Sequence, residues 1–457
     1  MTTDASTVAR PFALRRLDLA AVAAGDADAR RIRASLVERG AVPDPRVRED
    51  VRRVLGDVRA RGGVAVTEAN AAFGGGAVDG RLLVEPAVLR DARDALPSRT
   101  RAALEQAIDH VRRFAETQRL TSTRTTIAPG IELERRWTPL RRVGAYVPGG
   151  STPYPSSLVM TVVPAMVAGV REIIVATPAD AEGAVHPVLL GAAGLLEVDA
   201  ILVAGGAQAV AALAFGLADA GVDPVDRIVG PGNPWVTAAK LEVAGFIGID
   251  LPAGPSEGMV LADDSADPVI VAADLVTQAE HGPDSPAILV TTSADLAGAV
   301  EREIARLLPN LERSAILARA LAEHGRIAIA PNLDAAIAFV DAYAPEHLSI
   351  AVRDADAVAA RVRHAGSIFV GPWAPESAGD YATGANHVLP TGGLARACDP
   401  LGIEAFGRYT QIQRLDEGGL AAIRSTIGRL ASAEGLTAHR HAVEVRFAER
   451  HAIGNAP

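Results

Sequence analysis

The segment Thr277–His281 combines a side-chain amide and an imidazole at a spacing that suits one metal ion. If the segment is helical, Gln278 and His281 are three residues apart and project from the same face of the helix. An amide oxygen and an imidazole nitrogen placed in this way can bind a single cation. The alternative interpretation is an exposed polar face of a helix, which these two residues alone do not exclude.

A second segment, Tyr343–Leu348, places a carboxylate and an imidazole side by side just before a predicted strand. The two residues are Glu346 and His347, and their position predicts a site at an edge of the sheet, where the ligand crevices of α/β proteins form. The carboxylate is suited to removing a proton from water, and the imidazole to acid–base exchange with a hydroxyl group. The alternative is an ordinary turn with two solvated polar groups.

Two further polar segments contain candidate groups beside glycines. Residues 376–387 are predicted to form a long loop that holds Asp380 and His387. Aspartate, asparagine and glycine are also common in ordinary turns, so a turn without function is the alternative. In Glu434–His439, the alternative to a functional role is helix capping or simple surface exposure.

Alternating strands and helices must position these groups. The strand candidates are short β-branched runs, and glycine or proline follows several of them. Those of a first series are Val170–Thr177, Val198–Ala204 and Arg227–Gly232. Those of a second series are Ala287–Thr291, Arg326–Ala330, His347–Val352 and Ser367–Val370, with helices predicted at Ala294–Leu308 and Leu333–Tyr343. Strands that alternate with helices predict two α/β units with doubly wound, mostly parallel sheets.

Helical segments are predicted at both ends of the chain. Apolar residues recur at helical spacing in Arg30–Arg61 and Val84–Leu120. After Pro400 the pattern is again typical of helices, and it ends in a charged tail from Glu434 to Arg450.

The glycine turns of the first α/β unit lack the GxGxxG fingerprint of dinucleotide-binding folds. Gly205–Gln208 and Gly230–Asn233 follow predicted strands, as the fingerprint would. On the turns alone, ordinary connections between strand and helix are the alternative to a nucleotide site.

Composition excludes several classes of site. The single cysteine, Cys398, excludes an intrachain disulfide, a multi-thiolate zinc site and an iron–sulfur cluster held by this chain alone. The single lysine, Lys240, is the only candidate for a Schiff base, and we attribute the excess of arginine to a GC-rich genome. A net charge of −10 without basic blocks argues against a nucleic-acid partner.

The N-terminal residues Met1 to Asp26 mix acidic residues with arginine and do not resemble a secretory signal. The uncharged run Ala200–Ala218 is nearly long enough to span a bilayer. Its two glycines, Gln208 and many alanines instead favour a strand, a turn and a helix. We therefore expect a cytoplasmic protein without a membrane span.

Taken together and in this order, the segments resemble the histidinol dehydrogenase family, the zinc- and NAD-dependent enzymes that end histidine biosynthesis. The resemblance extends from about Val51 onward. It includes the motifs VGAYVPGG (Val143–Gly150), GGAQAVAALAFG (Gly205–Gly216), VGPGNPWV (Val229–Val236) and LPAGPSEG (Leu251–Gly258).

The resemblance implies a role for each position that matches a family motif. The implied zinc ligands are Gln278, His281, Asp380 and His439. The implied catalytic pair is Glu346 and His347. The implied substrate contacts are Ser256, His347, His387 and Glu434, together with the four zinc ligands. The implied contacts to the nicotinamide cofactor are Tyr146, Gln208 and Asn233.

The family reaction is the four-electron oxidation of L-histidinol to L-histidine through L-histidinaldehyde, with NAD⁺ as the oxidant. The resemblance implies one Zn²⁺ in each subunit, His347 as the base for the hydroxyl proton, and Glu346 as the base for water that adds to the aldehyde. It also implies a homodimer in which Glu434 and His439 complete the partner's site.

The resemblance further implies four parts of the chain. These are an N-terminal helical segment (1–43), a larger α/β domain with the zinc and catalytic residues (44–145 and 256–400), a Rossmann-like NAD-binding domain (146–255), and a C-terminal dimerisation segment (401–457) that contributes to the partner's active site. Both helical ends are expected to take part in dimerisation.

Three departures from the family pattern leave alternatives for the substrate. They are RACDPL (Arg396–Leu401), the stretch Gly407–Glu417 and Gly258. One alternative is a zinc-dependent NAD alcohol dehydrogenase for another small polar alcohol, such as a sulfonated diol. A second is a non-catalytic paralogue that binds metal or nucleotide, against which the intact pair Glu346 and His347 argues.

Overall fold

A computed structural model describes residues 13–149 and 152–448. The predictions for Met1–Phe12, for Gly150 and for the last two residues of the charged tail lie outside the described residues. The described chain forms two compact units. One comprises residues 13–119 and 140–406, and the other comprises residues 120–139 and 407–448.

The strands and helices are numbered in chain order. The strands are β1 (Arg15–Asp18), β2 (Leu83–Val84), β3 (Thr123–Ala128), β4 (Ile131–Pro139), β5 (Arg142–Tyr146), β6 (Glu172–Thr177), β7 (Ala200–Val203), β8 (Arg227–Val229), β9 (Gly248–Ile249), β10 (Gly258–Ala262), β11 (Ala287–Thr291), β12 (Arg326–Ile329), β13 (His347–Ala351), β14 (Ser367–Val370) and β15 (Gly407–Leu415). The helices are α1 (Leu19–Ala24), α2 (Ala27–Val37), α3 (Pro45–Arg61), α4 (Gly63–Phe73), α5 (Pro86–Asp94), α6 (Ser98–Glu116), α7 (Pro155–Ala168), α8 (Pro187–Leu195), α9 (Gly206–Phe215), α10 (Pro234–Val243), α11 (Pro268–Glu280), α12 (Ala294–Leu307), α13 (Ser314–His324), α14 (Leu333–Tyr343), α15 (Ala355–Ala359), α16 (Glu376–Tyr381), α17 (Glu417–Ala433) and α18 (Thr437–Glu444).

The larger unit contains two six-stranded sheets. The catalytic sheet, as we call the one that carries Glu346 and His347, has the order β1-β12-β11-β10-β13-β14 and is parallel throughout. The turn sheet, as we call the one followed by the two glycine turns, has the order β2-β7-β6-β5-β8-β9. Only its short edge strand β2 runs antiparallel to its neighbour. The prediction of doubly wound, mostly parallel α/β sheets is confirmed.

Apolar runs form the central strands because helices cover both faces of a parallel sheet. Strands β10 and β11 are buried at every position. β11, β14 and helix α14 have the bounds predicted from the sequence, and the run Ala200–Ala218 forms strand β7 and helix α9 with a glycine turn between them. No helix in the described part of the chain is long and apolar enough to cross a membrane.

The ends of the chain contain strands that the sequence did not indicate. Within the predicted N-terminal helical segment, β1 pairs with β12. After Pro400, helices α17 and α18 form as predicted, but Gly407–Leu415 is a strand, and the helical prediction is wrong there. This strand β15 pairs with β4 over nine residues in an antiparallel sheet of order β15-β4-β3, which belongs to the smaller unit. Its partner lies far away in the sequence, so its local pattern does not reveal the pairing.

Helices α3 and α4 pack on the turn sheet. Their residues Val51, Leu55, Val58 and Val66 are buried with Ile174 and Leu202 of that sheet in one core. The four-part division of the chain stays a prediction.

Candidate active site

The candidate catalytic residues lie at the amino edge of the catalytic sheet. Gly258 opens β10 and is paired with His347, the first residue of β13. Ser256 therefore lies two residues before β10, and Glu346 immediately precedes the adjacent strand β13. Helix α11 follows β10 and returns to the same edge, where it brings Gln278 near its end. The predicted sheet-edge position is thus the amino edge, whereas ligand crevices of open α/β sheets usually form at the carboxyl ends of the strands.

Glu346 is a buried carboxylate with one oxygen held and one oxygen free. The Ser256 hydroxyl donates to Oε2 over 2.8 Å, and the Glu257 N–H donates to the same oxygen over 2.9 Å. Among the described residues, no hydrogen bond reaches Oε1. Burial raises the pKa of Glu346, against the effects of His347 and the two hydrogen bonds. A raised pKa brings a carboxylate closer to the range of an efficient general base at neutral pH.

His347 is buried, and neither ring nitrogen has a hydrogen-bond partner among the described residues. Its Nδ1 lies 3.6 Å from a Glu346 oxygen and 3.8 Å from Glu376 Oε1. Burial lowers the pKa of His347, but the charges of Glu376, Glu346 and Asp380 outweigh burial, so the net shift is upward. A proton on this ring is therefore stabilised by the surrounding carboxylates, and the ring is well placed to accept one.

Three side chains at this edge can share a cation. The ligand atoms of His281, Glu376 and Asp380 all lie within 4.8 Å of one another. Beside them Gln278 is 1% exposed, and its Oε1 is a buried acceptor without a hydrogen-bond partner in the described chain. An unpaired buried amide oxygen costs free energy unless a ligand satisfies it. Together with an imidazole and carboxylates, this donor set fits Zn²⁺ without a thiolate.

Gln278 is anchored through its other polar atom. Its Nε2 donates to the Ser256 hydroxyl over 3.3 Å, which leaves Oε1 directed away from that contact. Thr277–Glu280 is helical, which is the condition for Gln278 and His281 to share a face, and His281 is the cap of α11. The alternative of an exposed polar helix face is wrong for Gln278, because that side chain is buried.

Glu376 is the residue of the cluster that the sequence interpretation missed. Its Oε1 lies 3.0 Å from His281 Nε2, and the residue is 3% exposed. Burial lowers the pKa of His281, but the hydrogen bond to Glu376 and the nearby carboxylates raise it to about 9. Residues 376–381 form helix α16, so the predicted loop is wrong here, and Asp380 lies one helical turn from Glu376. The spacing of four residues between two acids was the available signal.

His387 is held in one tautomer. Its Nδ1 lies 3.0 Å from the Asp380 carbonyl oxygen, which only accepts, so Nδ1 carries the proton. The Ser157 hydroxyl then donates to Nε2 over 3.1 Å. Burial lowers the pKa of His387 to about 4, so the ring is neutral at physiological pH.

Glu434 and His439 belong to the smaller unit. Glu434 caps helix α17, His439 lies on helix α18, and both are exposed. Their assignment to substrate and zinc stays a prediction.

The catalytic residues open into a cavity of about 370 Å³, which we call the substrate cavity. The predicted site residues that line it are Ser256, His281, Glu346, His347, Asp380 and His387. Cys398, the only thiol, is half-buried and is not among its lining residues.

A second cavity, of about 580 Å³, lies at the carboxyl ends of the turn-sheet strands, and we call it the cofactor cavity. Tyr146, Gln208 and Asn233, which were predicted to contact the cofactor, all line it. The N–H of Gly206 donates to the Tyr146 hydroxyl over 3.2 Å, and Gln208 donates to Asn70 over 3.2 Å. Asn233 caps helix α10 by accepting from two backbone N–H groups. Pro148 and Tyr154 line both cavities.

Comparison with known proteins identifies the family. A family model described as histidinol dehydrogenase matches residues 37–447. The chain belongs to the histidinol dehydrogenase family. Histidinol dehydrogenases of Leifsonia xyli and Halobacterium salinarum are 48% and 45% identical to it, over 87% and 91% of this chain and 92% and 96% of theirs. That of Mycobacterium tuberculosis is 43% identical over 96% of this chain and 99% of its own.

A solved histidinol dehydrogenase from Elizabethkingia anophelis has the same fold. Its TM-score with this chain is 0.86 at 33% identity, and the match covers 95% of this chain and 98% of that one. Membership of the histidinol dehydrogenase family makes the chain an NAD-dependent dehydrogenase that acts on a CH–OH group, and it makes histidine biosynthesis its metabolic context.

Proposed function

We propose that the chain oxidises L-histidinol to L-histidine through L-histidinaldehyde, and that both oxidations occur in the substrate cavity. The observation that carries the proposal is the buried pair Glu346 and His347, which lies at the cavity beside the cluster of His281, Glu376 and Asp380. A protein that only bound metal or nucleotide would have no need to bury an unpaired imidazole next to a carboxylate, because each desolvated polar group destabilises the fold.

His347 is the base of the first oxidation. The neutral ring takes the hydroxyl proton of the alcohol while the carbon loses a hydride to the nicotinamide, and the aldehyde forms. The imidazolium that results lies 3.6 Å from a Glu346 oxygen and 3.8 Å from Glu376. These carboxylates stabilise the positive charge as it develops.

Glu346 is the base of the second oxidation. Its free Oε1 takes a proton from water as the water oxygen bonds to the aldehyde carbon. The His347 imidazolium formed in the first oxidation gives its proton to the aldehyde oxygen, and the hydrated aldehyde results. Loss of a hydride and a proton from this hydrate gives the acid. The route needs no thiol, in agreement with the absence of Cys398 from the lining of the substrate cavity.

The residues suited to hold Zn²⁺ are Gln278, His281 and Asp380, with His439 as the predicted fourth ligand. When bound, the ion supplies an anchor for the imidazole and amine of the substrate. Within the chain, Ser256 holds both the Gln278 amide and the Glu346 carboxylate, so one hydroxyl ties a metal ligand to the base.

The cofactor is NAD⁺, and we assign it to the cofactor cavity with Tyr146, Gln208 and Asn233 as contacts. When bound there, the cofactor would supply the hydride acceptor for both oxidations. Because Pro148 and Tyr154 line both cavities, a cofactor in one is adjacent to a substrate in the other. The predicted cytoplasmic location is part of the same proposal.

The experiment that tests the function counts reduced cofactor. Purified protein is incubated with Zn²⁺, excess NAD⁺ and limiting L-histidinol, and the NADH formed per substrate consumed is measured together with the product. We expect two molecules of NADH and L-histidine. One NADH with another small alcohol, such as a sulfonated diol, and none with L-histidinol would support the alternative substrate. Tight metal binding without NADH from any alcohol would support a non-catalytic paralogue.

We also propose that the chain acts as a homodimer in which Glu434 and His439 complete the partner's site. Their exposure and their place in the smaller unit support this proposal. Co-expression of Glu346→Gln and His439→Ala chains tests it, because a mixed dimer with shared sites contains one fully intact site. Each parent homodimer should form almost no L-histidine, and about a quarter of the wild-type rate of L-histidine formation should return in the random mixture. No recovery would mean that each chain completes its own site.

A further inference from the structure

The only lysine of the chain is buried on helix α10, whose cap Asn233 lines the cofactor cavity, and it has no role in the proposed mechanism. Lys240 lies on helix α10 and is 2% exposed. Its ammonium group forms an ion pair with Asp250, whose side chain is 1% exposed. Burial of two charges costs free energy that their attraction does not always recover, so such a pair is weak evidence for stability alone. Its contacts indicate what else it does.

The pair holds both backbone polar groups of one residue, Gly230. Lys240 Nζ donates to the Gly230 carbonyl oxygen over 2.9 Å, and the Gly230 N–H donates to Asp250 Oδ2 over 2.7 Å. Asp250 Oδ1 also accepts from the Leu251 N–H over 2.7 Å. Gly230 is therefore fixed from both sides by charged groups, whose hydrogen bonds are stronger than neutral ones.

Only glycine fits the backbone conformation and the space at position 230. Its φ is +109°, and a Cβ at this position would lie 2.1 Å from the Tyr146 carbonyl oxygen. The turn that follows β8 thus packs directly against the end of β5. Asn233, three residues further on, lines the cofactor cavity, and Pro231 lines the substrate cavity. Fixing Gly230 fixes the start of a turn that borders both cavities.

We propose that Lys240 and Asp250 are positioning residues that hold the turn Gly230–Asn233 in the shape that binds the nicotinamide cofactor. The proposal rests on the assignment of NAD⁺ to the cofactor cavity. The ammonium and the carboxylate act through the backbone of Gly230, since neither residue lines the substrate cavity or the cofactor cavity.

The test compares the kinetic constants of Lys240→Met and of the double variant Lys240→Met with Asp250→Asn. Methionine keeps most of the length of the side chain and removes its charge and its donors. The double variant also removes the charge that the single variant leaves unpaired, so it folds where the single variant fails. We expect the KM for NAD⁺ to rise about tenfold to a hundredfold, as the loss of a charge-assisted hydrogen bond predicts. The KM for L-histidinol should change much less, although Pro231 borders the substrate cavity, and the zinc content should stay unchanged. Calorimetric titration with NAD⁺ should show the same loss of affinity.

Arg142→Met is the matched control. Arg142 forms a mostly buried ion pair with Glu172 over 2.6 Å at the opposite edge of the turn sheet, away from the turn. This variant should lower the melting temperature without changing the KM for NAD⁺. If the Lys240 variants behave like the control, or raise both KM values equally, the role is structural and the proposal is overturned.

The variant Asn233→Ala tests the assignment of NAD⁺ to the cofactor cavity separately from the positioning role of Lys240 and Asp250. A raised KM for NAD⁺ in Asn233→Ala with an unchanged KM in the Lys240 variants would overturn the positioning role alone. Unchanged values in all of these variants would overturn the assignment of the cofactor cavity as well.

Discussion

Replacement of Glu346 by glutamine should separate the two oxidations. Glutamine has the size of glutamate, and its amide oxygen can accept the hydrogen bonds that Ser256 and the Glu257 N–H donate over 2.8 and 2.9 Å. The side chain therefore stays in place, and the variant loses only its charge and its basicity. Loss of a general base slows a reaction by roughly 10²–10⁴-fold, and we expect a loss in this range for oxidation of the aldehyde.

The first oxidation should suffer much less. Its base is His347, and Glu376 remains 3.8 Å from that ring to stabilise the imidazolium. We expect the alcohol step to slow by less than about tenfold, since one of two neighbouring carboxylates is kept. L-histidinaldehyde should then accumulate, and the NADH formed per L-histidinol in the early phase should fall from two towards one.

Single-turnover measurements give the two rates directly. Enzyme in excess is mixed with NAD⁺ and either L-histidinol or L-histidinaldehyde, and NADH is followed by absorbance. In the unmodified enzyme, oxidation of the aldehyde should lose rate on the acid side with an apparent pKa above 4.5, because burial raises the pKa of Glu346 and a higher pH is then needed to free the carboxylate. The variant should lack this acid limb. Equal slowing of both steps, or an acid limb that persists, would refute the assignment of Glu346 as the base for water.

Three further substitutions test neighbouring parts of the site. Ser256→Ala removes a hydrogen bond that lowers the pKa of the Glu346 carboxylate, so the acid limb of aldehyde oxidation should move to higher pH. An unmoved limb would contradict the contact. Glu376→Gln should weaken zinc binding by about 10–100-fold in a chelator competition, because it removes the carboxylate that orients His281, whereas the matched Asp274→Asn on helix α11 should retain zinc. Cys398→Ser should keep turnover within a few-fold, and a loss of about a thousandfold would require a thiol route.

The sequence predicts the buried parallel strands well because the apolar residues that stabilise each strand lie within its own segment. Strand β11 is five apolar or β-branched residues between turn signals, and every one of them is buried. The antiparallel sheet of the smaller unit has no such local pattern. Strand β4, with the sequence IELERRWTP, is mostly polar and partly exposed, and β15 is similar. Pairing over nine residues and the Trp137–Tyr409 contact, with ring centroids 5.1 Å apart, hold them together. Contacts between residues so distant in sequence are not encoded in either segment alone.

The residues of the candidate site differ in the same way, since some are revealed by the local sequence and others only by contacts with distant residues. Residues with a chemical motif of their own, such as Glu346 and His347, are found by reading the sequence. Glu376 and Lys240 are not, because each is ordinary in isolation. Glu376 becomes significant only when a short helix brings it 3.0 Å from His281, and Lys240 only when burial pairs it with Asp250. The GC-rich genome to which we attribute the excess of arginine explains why lysine is rare in the chain. It does not explain why the one lysine is buried.

The general rule for open α/β sheets accounts for only half of the site. The turns after β5, β7 and β8 lie at the carboxyl ends of the turn sheet, where the rule places a nucleotide. The catalytic groups lie at the amino edge of the catalytic sheet, at the start of β10 and β13. Pro148, which follows β5, lines both cavities, so the carboxyl edge of one sheet meets the amino edge of the other at the place where a hydride must pass.

The two kinds of sheet edge offer different chemical groups. A second carboxyl edge would present its own turns and helix starts, which suit phosphates. An amino edge offers instead the end of α11 and the residues that precede two buried strands, which here are an amide, a hydroxyl, a carboxylate and an imidazole. The division of the chemistry between the two sheets therefore follows from which edge of each sheet faces the substrate.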